Sequence, residues 1–158
     1  PMNKRTSTIL LLTVLSLVLL VSAACFPPAT PVPPPAASPN SITNINWQWT
    51  NVSNKTTGET TAVPNPQDYT IVFRDDGTLS GMADCNSFSG TYSQEAGFSI
   101  TIGATTMMAC PDGSLNSMYL QLLGEVAAGG PDGAGNLALE TAGGEQRMLF
   151  VNGGPAIE

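Results

Sequence analysis

The chain has 158 residues, with five basic and twelve acidic side chains, a formal net charge of −7 and no histidine. An acidic surface of this kind repels a phosphate backbone, and so few basic residues cannot form a polybasic membrane patch, so we expect no nucleic-acid partner. Without histidine the chain lacks the commonest general base and the commonest neutral metal ligand. The sequence therefore predicts no catalytic residue, no metal site and no cofactor.

The first 24 residues have the composition of a secretory signal peptide. Lys4 and Arg5 precede an apolar run that ends at Val21, and small residues follow it. A positive start, an apolar stretch and small residues in this order are typical of an export signal. The alternative is a membrane-spanning anchor that the mature protein keeps, for which this run is near the short limit.

Cys25 directly follows two alanines, and this ending resembles the bacterial lipobox, whose cysteine thiol receives a diacylglyceryl group before cleavage. Ser22 departs from the motif, which usually has leucine there. We expect a lipidated Cys25 that holds the protein to the cell membrane on its extracytoplasmic side. Residues 25–43 then form a tether, since their many prolines disfavour helix and sheet and favour an extended chain.

Seven segments after the tether are predicted β-strands, and four of them alternate clearly between apolar and polar residues. Trp47 and Trp49 share one side of the first segment, where they are either core residues or, with Tyr92, the wall of a small-molecule pocket. Residues 75–77 predict a hairpin turn, because Gly77 can take the positive φ that such turns need. The predicted strands span residues 46–52, 60–63, 69–74, 79–85, 98–102, 136–140 and 147–151.

One segment has the period of a helix instead. Apolar residues from Leu115 to Val126 recur at helical spacing and predict one amphipathic helix, capped by Ser114 or Asp112. Residues 129–135 are rich in glycine and predict a loop.

Strands at such short spacing favour a mainly β fold. We expect a small antiparallel β-barrel-like meander of about seven strands, with the amphipathic helix packed on it. The domain is expected to span residues 44–153, with residues 154–158 as a C-terminal tail and the domain as a monomer.

Cys85 and Cys110 remain as a pair once Cys25 is acylated. An even number of cysteines in an exported domain predicts a disulfide. Two buried free thiols and a reactive thiol are the alternatives, but a catalytic cysteine normally needs a histidine or another cation beside it.

Five motifs in order resemble the META domain family, the HslJ-like envelope proteins, which are often lipoproteins. The resemblance covers about residues 45–152. It implies a compact β-barrel-like domain with one helix, no settled enzymatic activity, and links to heat induction, novobiocin tolerance and, in some parasites, motility or virulence. The motifs are WxW from Trp47, FRDDGTLSG from Phe73, ADCNxxxGxY from Ala83, TTMMAC from Thr105 and MLFV from Met148. Their family positions are Gly77, Gly81, Cys85, Asn86, Gly90, Tyr92, Thr105, Thr106, Met108 and Cys110.

Two places depart from the family pattern. Residues 83–84 are Ala-Asp where many members have two glycines. Residues 116–117 are Asn-Ser in the region where many members have a glutamate near the start of the helix.

These observations favour a lipid-anchored extracytoplasmic protein that acts as a non-catalytic binding or stress-protective module of the cell envelope. An inhibitor or interaction domain that acts on another envelope protein is the alternative. An enzyme with paired carboxylates is the third reading, with Asp76, Asp84 and Glu95 as candidates, although aspartates beside turn glycines have a structural explanation. The expected partners are the membrane, through the lipid anchor, and either an envelope protein or a small molecule.

Overall fold

The computed structural model describes residues 41–157, which form a curled antiparallel sheet of nine strands with one helix packed on it. The predicted signal peptide, the lipidation of Cys25 and the tether up to residue 40 lie outside the described residues. Within residues 41–157, no helix has both the length and the apolar character needed to cross a membrane. The strands are β1 (Ile45–Asn54), β2 (Thr60–Ala62), β3 (Tyr69–Phe73), β4 (Thr78–Ala83), β5 (Asn86–Ser93), β6 (Ser99–Thr105), β7 (Val126–Pro131), β8 (Leu137–Thr141) and β9 (Gln146–Pro155), and the helix is α1 (Asn116–Gly124).

The strands lie in the order β6-β5-β4-β3-β1-β9-β8-β7, and β2 pairs with β1 beside this row. Every strand pair is antiparallel, and register shifts in β1, between β5 and β6 and between β7 and β8 bend the sheet. The two end strands approach at one corner, where the Phe98 N–H donates to the Ala127 carbonyl at 3.2 Å. The sheet is therefore a half-barrel whose edges meet at a single point.

The core fills the concave side of this half-barrel. Trp49, Tyr119, Phe73 and Phe150 are completely buried there. Tyr119 of α1 stacks on Trp49 with ring centroids 5.0 Å apart, so the helix contributes an aromatic side chain to the centre of the sheet. Burial of one helix face against the sheet explains why the apolar spacing of this segment is helical.

The mainly β architecture with one packed helix is confirmed, with nine strands in place of about seven. The additional strands are β5 and β7. The helix is shorter than predicted, because Leu115 is its N-cap and Val126 is the first residue of β7. Part of the predicted glycine-rich loop is also strand, since β7 continues to Pro131. At the C-terminus, β9 reaches Pro155 and so includes two residues of the predicted tail.

Candidate functional site

Asn86, at the start of β5, is a polar side chain that is only 2% exposed. Its Oδ1 accepts the Met108 N–H at 2.7 Å and the Thr106 hydroxyl at 3.0 Å. Its Nδ2 donates to the Met108 carbonyl at 3.1 Å and lies 3.3 Å from Cys110 Sγ. Because a buried amide must be hydrogen-bonded, these contacts fix the irregular segment 106–110 against the sheet.

The predicted disulfide between Cys85 and Cys110 is confirmed. Cys85 lies in the turn between β4 and β5, and Cys110 lies between β6 and α1, with Cα atoms 5.4 Å apart. The disulfide and Asn86 therefore hold the same segment, one by a covalent bond and the other by hydrogen bonds.

Asp84 explains one of the two departures from the family pattern. It lies in the two-residue turn between Ala83 and Asn86, with a positive φ of 58°. Aspartate tolerates this left-handed conformation better than most residues, although glycine adopts it without strain. The glycine that many members have at this position is thus accounted for by the geometry of the turn.

Two polar contacts fix the start of α1 to the sheet, and a third lies within the start of the helix itself. The Leu115 N–H donates to the Tyr69 hydroxyl at 2.8 Å, and Ser114 Oγ accepts the Asn116 N–H at 3.2 Å. The Asn116 amide, in the orientation that satisfies both of its polar atoms, donates to the Ala83 carbonyl at 2.9 Å. Neither predicted capping residue is the N-cap, because that position is Leu115 and no side chain caps it. Ser114, one residue earlier, binds the Asn116 N–H.

The remaining family positions shape the sheet. A Cβ on Gly81 or Gly90 would lie 2.0 and 2.1 Å from a carbonyl oxygen of the neighbouring strand. Gly77 has a φ of 82° in the β3–β4 turn, and its carbonyl accepts the Tyr92 N–H at 2.9 Å. The Tyr92 hydroxyl donates to the Arg74 carbonyl at 2.9 Å, so this tyrosine closes the same turn.

The two tryptophans belong to the core. Trp47 is 2% exposed and Trp49 is fully buried. Their ring N–H groups donate to the backbone carbonyls of Ile42 and Asn51, at 2.8 and 2.9 Å. Indoles so enclosed have no free surface for a ligand, so the pocket predicted at Trp47, Trp49 and Tyr92 is not formed by them.

A groove of about 720 Å³ lies between β6 and α1. Ile102 and Thr105 form the strand side, Leu120 and Asn116 form the helix side, and residues 106–109 close one end. None of the side chains that line it is ionisable. The end of the groove that residues 106–109 form belongs to the segment that Asn86 and the disulfide fix.

Two methionines of this segment face solvent at the groove. Met107 is 97% exposed and Met108 is 63% exposed. Flexible, polarisable thioethers adapt to differently shaped apolar partners, and exposed methionines are common at binding surfaces.

Sequence reasoning identified Thr105, Thr106 and Met108 only as family positions, and it missed the groove. Ile102 belongs to a predicted strand, and Leu120 falls within the predicted helix but not on its predicted apolar face. The sequence does contain one signal of the groove, which is a stretch without charge. Residues 96–111 contain no ionisable side chain apart from Cys110, in a chain that is otherwise acidic.

Two of the three carboxylates proposed for an enzyme, Asp76 and Asp84, lie at opposite ends of a strand. Asp76 precedes β4 and Asp84 follows it, so the length of this six-residue strand, roughly 20 Å, separates them. Carboxylate pairs that hydrolyse glycosides lie roughly 5–9.5 Å apart. The Asp76 carboxylate accepts the hydroxyl and N–H of Thr78, which lowers its pKa below 3.8. A general acid would need a raised pKa, so the contacts of Asp76 indicate a structural role in the turn between β3 and β4.

Asp132 has a comparable role in the loop between β7 and β8. Its carboxylate accepts the Asn136 side-chain N–H and the backbone N–H groups of Ala134 and Asn136, which lowers its pKa. Throughout residues 41–157, no three His, Cys, Asp or Glu side chains are arranged to hold a metal ion.

The model of the META domain family matches residues 40–153, which include every strand up to β9 and the helix. The chain belongs to the META domain family. No curated protein matches it.

Two solved structures share the fold of this META domain. A protein from Burkholderia xenovorans, solved by NMR, is 22% identical with a TM-score of 0.57, over 79% of this chain and 97% of that one. A DUF4847 family protein from Bacteroides vulgatus, a crystal structure, is 15% identical with a TM-score of 0.50, over 70% of this chain and 93% of that one. At these identities the likeness concerns the fold alone.

Proposed function

We propose that this META domain is a lipid-anchored, extracytoplasmic binding module that acts without catalysis and binds its ligand in the groove between β6 and α1. The observation that carries the proposal is a groove of about 720 Å³ with no ionisable side chain in its lining, in a chain with a net charge of −7. An apolar concave site with a few polar groups is the usual form of a ligand site. The family resemblance supports a stress-protective role in the cell envelope.

The groove is tested by a thermal-shift screen of the protein against envelope metabolites and antibiotics, since a bound ligand raises apparent stability by mass action. A hit should lose its effect in the double variant Met107→Lys/Met108→Lys, which places two charges at the groove. The matched control is Met82→Lys/Met118→Lys, because those methionines are 40% and 41% exposed and do not line the groove. Equal effects in the two double variants would place the ligand elsewhere and contradict the proposal.

The anchor is proposed from the leader sequence and Cys25. Cys25→Ala should move the protein from the membrane fraction to the soluble extracytoplasmic fraction, because the acyl chains have no other attachment point. Ser38→Ala, in the same proline-rich segment, is the control and should leave the distribution unchanged. Membrane association that survives Cys25→Ala would refute the lipid anchor.

A second candidate is a domain that inhibits or regulates another envelope protein. The observation that favours it is β6, which ends the sheet and pairs on one side only. Edge strands of this kind can accept a strand from another chain.

A further inference from the structure

The outer edge of β6 has a defined set of free backbone groups. In an antiparallel pair, alternate residues direct their N–H and C=O towards one neighbour and then the other. The Thr101 carbonyl is directed at Gly90 of β5, and the Phe98 N–H is directed away from β5 and donates to Ala127. By alternation, Ile100 and Ile102 also direct their backbone groups outward, where no strand among residues 41–157 pairs with β6.

The helix α1 faces this edge. Asn116 and Leu120 of the helix line the groove together with Ile102 and Thr105 of β6. Residues 106–115 lead from the end of β6 to the start of α1, and β7 begins where α1 ends, close to Phe98 at the start of β6, so the helix runs antiparallel to β6. A groove between a free strand edge and a helix is the geometry in which peptide-binding domains accept an extended segment as an additional strand.

The edge carries no residue that disfavours such pairing. Natural edge strands are commonly blunted by charged residues or proline, and β6 has neither; its only irregularity is the register shift near Gly103. Side chains that project into the groove would meet only neutral or apolar partners.

The surface outside the groove is acidic. Residues 41–157 contain eleven acidic and three basic side chains, a charge of −8 (3 − 11), and none of them lines the groove. Repulsion between two such surfaces disfavours a second copy of this chain as the occupant, and the acidic charge favours a segment with basic flanks.

We propose that the ligand of the groove is an extended peptide segment with alternating apolar side chains and basic flanking residues, which adds to the outer edge of β6 through Ile100 and Ile102. The inference rests on the proposed binding function and specifies the class of its ligand. The segment would belong to another protein of the cell envelope.

The probe is the peptide Lys-Val-Thr-Val-Thr-Val-Lys with blocked ends and a fluorescent label, titrated into the full chain in mild detergent. We expect saturable binding, weakened by about tenfold at low salt when glutamates replace both lysines. Two N-methylated versions carry methyl groups on alternate amides. Since an edge strand bonds through one set of alternate amides, one version should lose binding and the other should keep it.

Hydrogen exchange locates the peptide. We expect slower exchange at the Ile100 and Ile102 amides when the peptide is present, and weaker binding to Met107→Lys/Met108→Lys than to Met82→Lys/Met118→Lys. The proposal is overturned if the peptide does not bind, if both N-methylated versions bind like the parent, or if protection appears on another element. Small molecules that bind at Met107 and Met108 while the peptide does not would end the peptide proposal and leave the binding function intact.

Discussion

Gly81 is a residue whose identity follows directly from the packing around it. A Cβ at this position would lie 2.0 Å from the Thr70 carbonyl oxygen and 2.7 Å from the Phe88 ring. We expect Gly81→Ala to destabilise the protein by at least about 3 kcal/mol, because the backbone oxygen cannot move without breaking the strand pair. Urea unfolding measures the change.

The control is Gly124→Ala at the end of α1, where a Cβ would have no neighbour within 4 Å and φ is not positive. Alanine has the higher helix propensity, so this variant should be unchanged or more stable by up to about 1 kcal/mol. An identical urea midpoint for Gly81→Ala and the native chain would show that the strands are not in this contact.

Tyr119 has a buried hydroxyl with no hydrogen-bond partner among the described residues. Burial raises its pKa well above 10. The unfolded chain therefore ionises first as the pH rises past 10, and the native state loses stability there. In Tyr119→Phe this alkaline loss should be smaller, while stability at pH 7 is equal or higher because no hydrogen bond is removed.

Urea unfolding at pH 7 and at several values above pH 10 tests this prediction. Tyr92→Phe is the comparison, because the Tyr92 hydroxyl donates to Arg74 and its removal should lower stability at pH 7. A Tyr119→Phe variant that is less stable at pH 7 would mean that the hydroxyl has a partner.

At the residue scale, the sequence predicted motif positions better than their roles. The disulfide and the turn glycine Gly77 follow from local pattern and from cysteine number. The alternation of Trp47 and Trp49 tells which side of the strand they share but not what covers it, and that depends on Tyr119, seventy residues away. The same holds for Asn86, whose partners Thr106 and Met108 come from another part of the chain.

At the scale of elements, the disulfide and the segment it fixes are the main feature of the site. The bond closes a loop with a sequence separation of 25, which by chain entropy contributes about 3 kcal/mol. We expect Cys85→Ala/Cys110→Ala to lose a comparable amount and to exchange the amides of residues 106–115 faster, with little change in β8 and β9. Urea unfolding and hydrogen exchange measure the two effects.

Native protein treated with reductant is the matched control, and it should exchange like the double variant. Exported native protein should also show no alkylatable thiol in an intact-mass measurement without reductant. Unchanged exchange in residues 106–115 would mean that Asn86 alone holds the segment.

The limits of the predicted helix and loop have a physical cause. Val126 continues the helical apolar spacing, and its burial is real, but it is buried as the first residue of β7. Glycines disfavour strands, so residues 129–130 looked like a loop; pairing with β8 overrides this local preference. Gly129 in fact suits its strand, since a Cβ there would lie 2.5 Å from Leu139.

At the scale of the whole molecule, the surface formed by β6, the fixed segment and α1 differs from the rest in having almost no charged side chains. Residues 96–124 contain a single charged side chain, Asp112, and they form β6, the fixed segment and α1. The fold brings both walls of the groove from this one stretch, so an acidic protein presents a groove without ionisable side chains. We infer that this neutral groove is the binding site of the protein.

Methyl NMR of methionine tests that claim most directly. The chain has six methionines, of which Met107 and Met108 line the groove, Met118 lines a separate pocket of about 190 Å³ and Met148 is buried in the core. With ¹³C-methyl methionine in the protein, a ligand found by thermal shift or the lysine-flanked peptide is titrated in. We expect saturable shifts of the Met107 and Met108 signals, with Met82, Met118 and Met148 unmoved. Shifts at Met118 or Met82, with Met107 and Met108 unmoved, would contradict it.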